Sequence, residues 1–269
     1  MTQDATAHLK AGDPDGALAA LQAQVRANPG DSRLRIFLFQ LLCVQGDWKR
    51  AVSQLKLCAE LDPSALPMAQ TYREAIICEV YREKVFAGEK DPLIFGDPQE
   101  WIALLVESLR ALAAGRVQDA ADLRARAFDA APSASGELNG VAFDWIADAD
   151  PRLGPVLEII VNGKYYWMPF TAIASLRADP PADLRDAVWT AANLTLQNGA
   201  EIVALIPTRY PGTAPSGSGA TRLARATDWT DMGADTFVGI GQRLLATSAG
   251  DTALMDVRAL RMDVKPGGL

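Results

Sequence analysis

The sequence predicts an α+β fold in which a tetratricopeptide-like helical repeat array precedes a mainly antiparallel β half. An internal repeat of 34 residues in the first half predicts the array. Two Asn-Gly pairs set between β-prone runs predict the sheet. The 269 residues, 49% of them apolar, suffice for one large domain or two modest ones. The division expected is a repeat domain over 1–135 and a β-rich domain over 136–269.

Gly12-Asp13, Ala17, Leu21 and Pro29 recur 34 residues later as Gly46-Asp47, Ala51, Leu55 and Pro63. In such a unit a first helix ends at a glycine turn, and a second packs back through a small residue and stops before proline. Gly46 permits the positive φ of a helix C-terminus, and Ala51 lets two helices approach closely. Leu18, Leu21 and Val25 form the apolar stripe of one second helix; Val52, Leu55 and Ala59 form that of the next. A further copy falls at Gly115, Ala120, Ala127 and Pro132. Between the copies, Ser64 to Glu100 reads as a degenerate unit with a long helix over Met68–Phe86. Asp91-Pro92 and Gly96-Asp97-Pro98 punctuate the approach to a helix that begins near Gln99 or Glu100.

Pro132-Ser133-Ala134-Ser135-Gly136 marks the change of pattern. Beyond it, Val156–Val161 and Lys164–Phe170 flank Asn162-Gly163, and Leu194–Gln197 and Glu201–Ile206 flank Asn198-Gly199. Each reads as a hairpin, because both turn residues tolerate positive φ. Thr236–Ile240, Gln242–Ala246 and Ala253–Met262 read as further strands, in an antiparallel sheet that could close partly into a barrel. Tyr210–Gly219, without periodicity, reads as a mobile surface loop.

Composition narrows the chemistry. A net charge of −7 opposes binding to nucleic acid. The longest unbroken apolar run, Trp101–Val106, is far short of a membrane span. Met1-Thr2-Gln3-Asp4 lacks the basic start of a secretory signal, so a cytoplasmic protein is expected. His8, the single histidine, sits near an end expected to fray, which argues against triad and HExxH chemistry. Cys43, Cys58, Cys78 and His8 match no compact zinc spacing and read as buried thiols with a lone imidazole. No cofactor or metal is expected. Gly217–Thr221 and Gly239–Arg243 satisfy neither phosphate-loop pattern, and Gly239 and Gly241 read instead as relieving a bulge or a close approach of strands.

Alternation places Tyr165 and Trp167 on one face of a strand and Tyr166 and Met168 on the other, with at least one pair in the core. Asp144, Asp148 and Asp150 offer oxygen ligands to a divalent cation, against a reading in which they cap and turn the chain. With Glu158 they also define an enzymatic alternative, a carboxylate-dependent hydrolase. A structural homo-oligomer is a third reading, and the oligomeric state is left open. The surface favoured for function is the concave face of the array, where first helices line a groove. Arg33, Phe37 and Gln40 on one helix and Tyr72, Glu79 and Arg82 on the next are the candidate partner-binding residues, aromatics as anchors and charges as guides.

Several strings resemble the ImpE family, also called SciE or TagJ. They are Arg35–Leu42 with Gly46-Asp47-Trp48, Phe143-Asp144-Trp145-Ile146, Asp148–Pro155, Asn162–Trp167, Tyr210-Pro211-Gly212 and Gly239–Arg243, in order from about Arg35 to Arg258. The resemblance implies a bacterial cytoplasmic accessory protein of type VI secretion without enzymatic activity. It implies association with a helix of the small, TssB-like subunit of the contractile sheath, and a link to the ClpV-type ATPase. It marks no contact residues.

Overall fold

The computed structural model describes residues 3–97 and 99–263. The Met1-Thr2 start and Pro98, both read above, lie outside the described residues. Three helical hairpins appear where the repeat copies fall: α1 (Gln3–Lys10) with α2 (Pro14–Ala27), α3 (Ser32–Val44) with α4 (Trp48–Leu61), and α6 (Glu100–Ala113) with α7 (Val117–Ala130). The turn glycines Gly12, Gly46 and Gly115 have φ of +77°, +71° and +75°, a conformation that L side chains resist. Asp13, Asp31 and Asp47 cap the helices that follow them by accepting backbone N–H bonds. Ala17, Ala51 and Ala120 are wholly buried between paired helices. His8 is not frayed: it lies in α1, with Nδ1 2.8 Å from Asp13 Oδ2.

The degenerate unit has one helix. α5 (Leu66–Phe86) runs 21 residues, and after a turn at Gly88 the chain forms β1 (Leu93–Ile94) in place of a second helix. β1 crosses into the other half of the molecule and joins its sheet.

The β half contains β2 (Gly136–Leu138), β3 (Val141–Phe143), β4 (Ile146–Asp148), β5 (Val156–Val161), β6 (Lys164–Pro169) and β7 (Ile173–Ala178). β8 (Trp189–Leu196) and β9 (Glu201–Pro207) follow, then the short helices α8 (Thr213–Ser216) and α9 (Gly219–Arg222). β10 (Thr227–Asp231), β11 (Phe237–Gly241), β12 (Leu244–Thr247), β13 (Gly250–Ala253) and β14 (Ala259–Met262) complete it. The main sheet has the order β1-β6-β5-β9-β8-β7-β14-β2-β3, antiparallel except for β1 beside β6. Its two end strands, β1 and β3, do not pair with each other, so among the described residues the sheet is open and the expected partial barrel does not form. Both Asn-Gly hairpins read above form, with Val161 opposite Lys164 and Thr195 opposite Glu201, and a third, at Asn139-Gly140, joins β2 to β3 with Leu138 opposite Val141.

Period-2 alternation makes β5 and β6 the hinge of the packing. Val156, Ile160, Tyr165 and Trp167 join the core that the helices build, whereas Leu157, Ile159 and Met168 join a second core within the β half. The first core is thus shared by both halves. Residues 210–219, read as a mobile surface loop, are exposed at Gly212, Pro215, Ser216 and Ser218 but carry the short helix α8 and are tied down at two buried residues. Tyr210 is buried, Thr213 Oγ1 donates to Tyr210 O at 2.6 Å and accepts from Gly241 N at 2.8 Å, and Ser218 caps α9. Hydroxyls and backbone do there what apolar side chains do elsewhere, so hydropathy does not register it.

Candidate functional site

The six candidate partner-binding residues do not line an open groove. The concave face is occupied by the chain's own β half. Tyr72 packs between Phe39 and Trp189, with ring centroids 5.6 Å away on each side, and the Arg185 guanidinium lies 4.9 Å above it. Glu79 Oε1 accepts from Trp189 Nε1 at 3.1 Å. Arg82 is buried against Glu158, and Gln40 is buried as well. Phe37 is half-buried on the shared core, and Arg33 alone of the six is exposed. Glu79 and Arg82 are therefore committed to holding the molecule together, and Gln40 is enclosed. The expectation treated the array as free-standing, and local periodicity carries no sign of a cover supplied from more than 70 residues away.

What these residues build is a buried seam of alternating charge. Glu79, Arg82, Glu158, Arg243 and Asp148 follow one another through contacts of 3.3 Å (Arg82 Nη1 to Glu79 Oε2), 2.6 Å (Arg82 Nε to Glu158 Oε1), 3.2 Å (Arg243 Nη1 to Glu158 Oε2) and 2.7 Å (Arg243 Nη2 to Asp148 Oδ2). Helix α5 supplies the first two residues, β5 the third, and the segment before β12 the fourth. Tyr165 donates its hydroxyl to Glu158 and accepts from Trp167 Nε1 at 2.7 Å. Arg209 donates to Cys43 O and Val44 O, placing a cation on the carbonyl end of α3.

The protonation states follow from the neighbours. Burial pushes the Glu158 carboxyl up, but Arg82 and Arg243 together outweigh it and hold the group below the ordinary carboxylate range. Burial dominates at Asp148, which is pushed up to about 6 against the pull of Arg243. Burial also raises Glu79, with Arg82 offsetting only part. The thiols behave as buried thiols: Cys58 is pushed up to about 11 and Cys78 to about 12.

The hydrolase alternative loses its carboxylates to this arrangement. Asp148 Oδ1 accepts the Asp150 N–H, and Asp150 receives both the N–H and the guanidinium of Arg152, so this is the turn-and-cap geometry with buried ion pairs added. Asp144 is exposed and apart from them. No group of three or more His, Cys, Asp or Glu side chains is placed to hold a metal among the described residues. Gly239 and Gly241 serve close approach: a Cβ on Gly239 would stand 2.2 Å from the Tyr210 ring, and one on Gly241 2.1 Å from Ala226 O.

Two concavities of the described residues bear on the helical array. A cavity of about 120 Å³ opens at the seam, walled by Trp48, Glu79, Arg82, Arg209 and the Tyr210–Pro215 turn. The second is a furrow of about 610 Å³ lined by residues of α4 and α5. Val52, Leu55, Ala59, Leu66 and Ala69 make its apolar floor, and Lys56, Glu60, Gln70 and Arg73 make its rim. The apolar stripe of α4 is legible in the sequence; what escapes it is that α5, having no partner helix of its own, leaves one side of that stripe uncovered. No helix of the described residues is long and apolar enough to cross a membrane.

Comparison with known proteins fits this architecture. The family described as ImpE protein matches residues 140–261, and the family described as tetratricopeptide repeat matches residues 8–73. A Pseudomonas aeruginosa (strain PAO1) protein described as type VI secretion system accessory component TagJ is 54% identical over 252 residues, covering 94% of this chain and 88% of its own length. The X-ray crystal structure of protein VPA1032 from Vibrio parahaemolyticus has the same fold, with a TM-score of 0.89 at 24% identity over 97% of this chain and 98% of that one. The ImpE match and the 54%-identical Pseudomonas aeruginosa relative together show that the chain belongs to the ImpE family.

Proposed function

We propose that this protein is a non-enzymatic, cytoplasmic accessory component of type VI secretion that captures a helix of the small, TssB-like sheath subunit and connects it to recycling by the ClpV-type ATPase. The relative described as an accessory component of that system supports the setting. The observation that carries the mode of binding is the α4–α5 furrow, whose apolar floor and charged rim suit an amphipathic helix laid between two helices. Leu66, 47% exposed at the edge of the floor, is the natural anchor, and Lys56, Glu60 and Arg73 set the orientation of the incoming helix.

Calorimetric titration with a synthetic helix from the sheath subunit tests this, with a scrambled peptide as control. Leu66→Glu is expected to lower affinity about tenfold or more, equivalent to about 1.4 kcal/mol, without changing the thermal midpoint. Tyr72→Ala is expected to lower stability, because that ring fills the seam. Equal affinity for both peptides, or an unchanged titration of the Leu66→Glu variant, refutes the furrow as the site.

A further inference from the structure

The β10–β11 hairpin spends large apolar side chains on solvent. Trp229, Met232 and Phe237 are 40%, 41% and 48% exposed. Register places Trp229 opposite Gly239 and Asp231 opposite Phe237, so Trp229, Asp231 and Phe237 share one face of the ribbon, with Met232 at its turn. The ribbon is anchored from its base and its other face. Val238 packs on the small core of α6 and α7, and Thr236 Oγ1 accepts from Arg124 Nη2 at 3.0 Å. Trp229 leans on the buried Tyr210, with centroids 5.6 Å apart, in the space that Gly239 leaves open. The aromatic face is thus held in place, while its outer side has no cover from the described residues.

Charge selects the occupant. Residues 226–242 contain Asp228, Asp231 and Asp235 and no Lys, Arg or His. None of these three carboxylates is within ion-pair distance of a cation among the described residues, and only Asp235 has one near it, Arg124 at the base of the ribbon. With a net charge of −7 on the whole chain, this tip repels anionic lipid, nucleic acid and a second copy of itself. An exposed apolar cluster inside an acidic border fits a surface of the opposite sign.

We propose that the β10–β11 tip is a second docking surface, for a basic amphipathic segment of a partner protein whose apolar side chains cover Trp229, Met232 and Phe237 and whose Lys or Arg side chains meet Asp231 and Asp235. It is separate from the α4–α5 furrow and stands independently of the occupant assigned there.

The test uses the full chain and two synthetic amphipathic helices, one of Leu and Lys and the other of Leu and Glu in the same pattern. The Lys peptide is expected to bind at least tenfold more tightly than the Glu peptide, to weaken as salt is raised, and to shift the Trp229 indole resonance. The double change Met232→Ser with Phe237→Ser should weaken it at least tenfold while leaving the fold and the sheath-helix titration unchanged. Asp231→Asn with Asp235→Asn should weaken it about tenfold and flatten the salt dependence. Leu66→Glu should leave it untouched, which separates this surface from the furrow. An unmoved Trp229 resonance, equal binding by the serine variant, or failure of the Lys peptide to bind overturns the proposal. So does a ribbon-dependent dimer in sedimentation, or ribbon-dependent binding to anionic vesicles.

Discussion

Glu158 and Asp148 are both enclosed carboxylates touching the guanidinium of Arg243, and their surroundings act on them in opposite senses. Glu158 has a second cation in Arg82 and a hydroxyl donor in Tyr165, so its charge is favoured in the fold. The stability it adds is complete above its unfolded value of about 4.5 and is lost as pH falls through the lower folded value. Asp148, pushed up to about 6 from 3.8, binds its proton more tightly when folded. Its effect is most favourable below 3.8 and is lost as pH rises through 6. Glu158→Gln leaves two buried guanidiniums facing each other and is expected to cost about 3–5 kcal/mol. Asp148→Asn is expected to cost less than half of that at pH 7, since Arg243 keeps Glu158. Its disadvantage against the native chain should narrow between pH 4 and 6. Urea unfolding of both variants at pH 4 and 7 checks the order; an Asp148→Asn chain that is the weaker of the two at pH 7 contradicts it.

The repeat glycines show how one sequence signal carries two structural jobs. Gly12 and Gly46 hold the same place in successive units and nearly the same φ, yet a Cβ on Gly12 meets nothing within 4 Å whereas one on Gly46 would stand 2.7 Å from Ala214 Cβ. Gly12→Ala is expected to cost about 1–2 kcal/mol from the left-handed backbone alone. Gly46→Ala should cost clearly more, measured as the difference between their denaturant midpoints. The same division explains what the sequence makes legible. Helical hairpins and the two Asn-Gly hairpins are local, so repeat spacing and turn chemistry reveal them. β2, β3 and β4 are three residues long and β1 is two, too short for alternation to show, and of these only the β2–β3 pair carries a local signal, the Asn139-Gly140 turn, missed in the sequence. Ala253–Met262, read as one strand, breaks into β13 and β14 around a 3-10 turn at Leu254–Asp256, because β13 belongs to a separate three-stranded sheet, β13-β12-β4, and β14 to the main one. The charged seam joins residues 76 and 95 positions apart, a distance at which no pattern in a single sequence speaks. The furrow is half legible: the stripe of α4 can be read, its exposure cannot.

At the scale of the whole molecule, we place the boundary between the halves at residues 130–136, where α7 ends and β2 begins, and argue that neither half is self-sufficient. The helical core includes Val156, Ile160, Trp167 and Trp189 from the sheet, and the sheet begins with β1 from the helical side. Fragments 1–135 and 136–269 are each expected to lack a cooperative thermal transition alone, and to copurify when expressed together. A fragment 136–269 that melts cooperatively at the temperature of the full chain contradicts this.

A helical solenoid ordinarily grows or shrinks by whole units, since each touches only its neighbours. Here Arg82 must reach Glu158, and Leu93–Ile94 must lie along Tyr166–Trp167, so every turn of the coil is counted against a fixed sheet. Splicing in one more 34-residue unit after Asp62 would carry the long helix out of reach of both, and the number of turns is thereby locked.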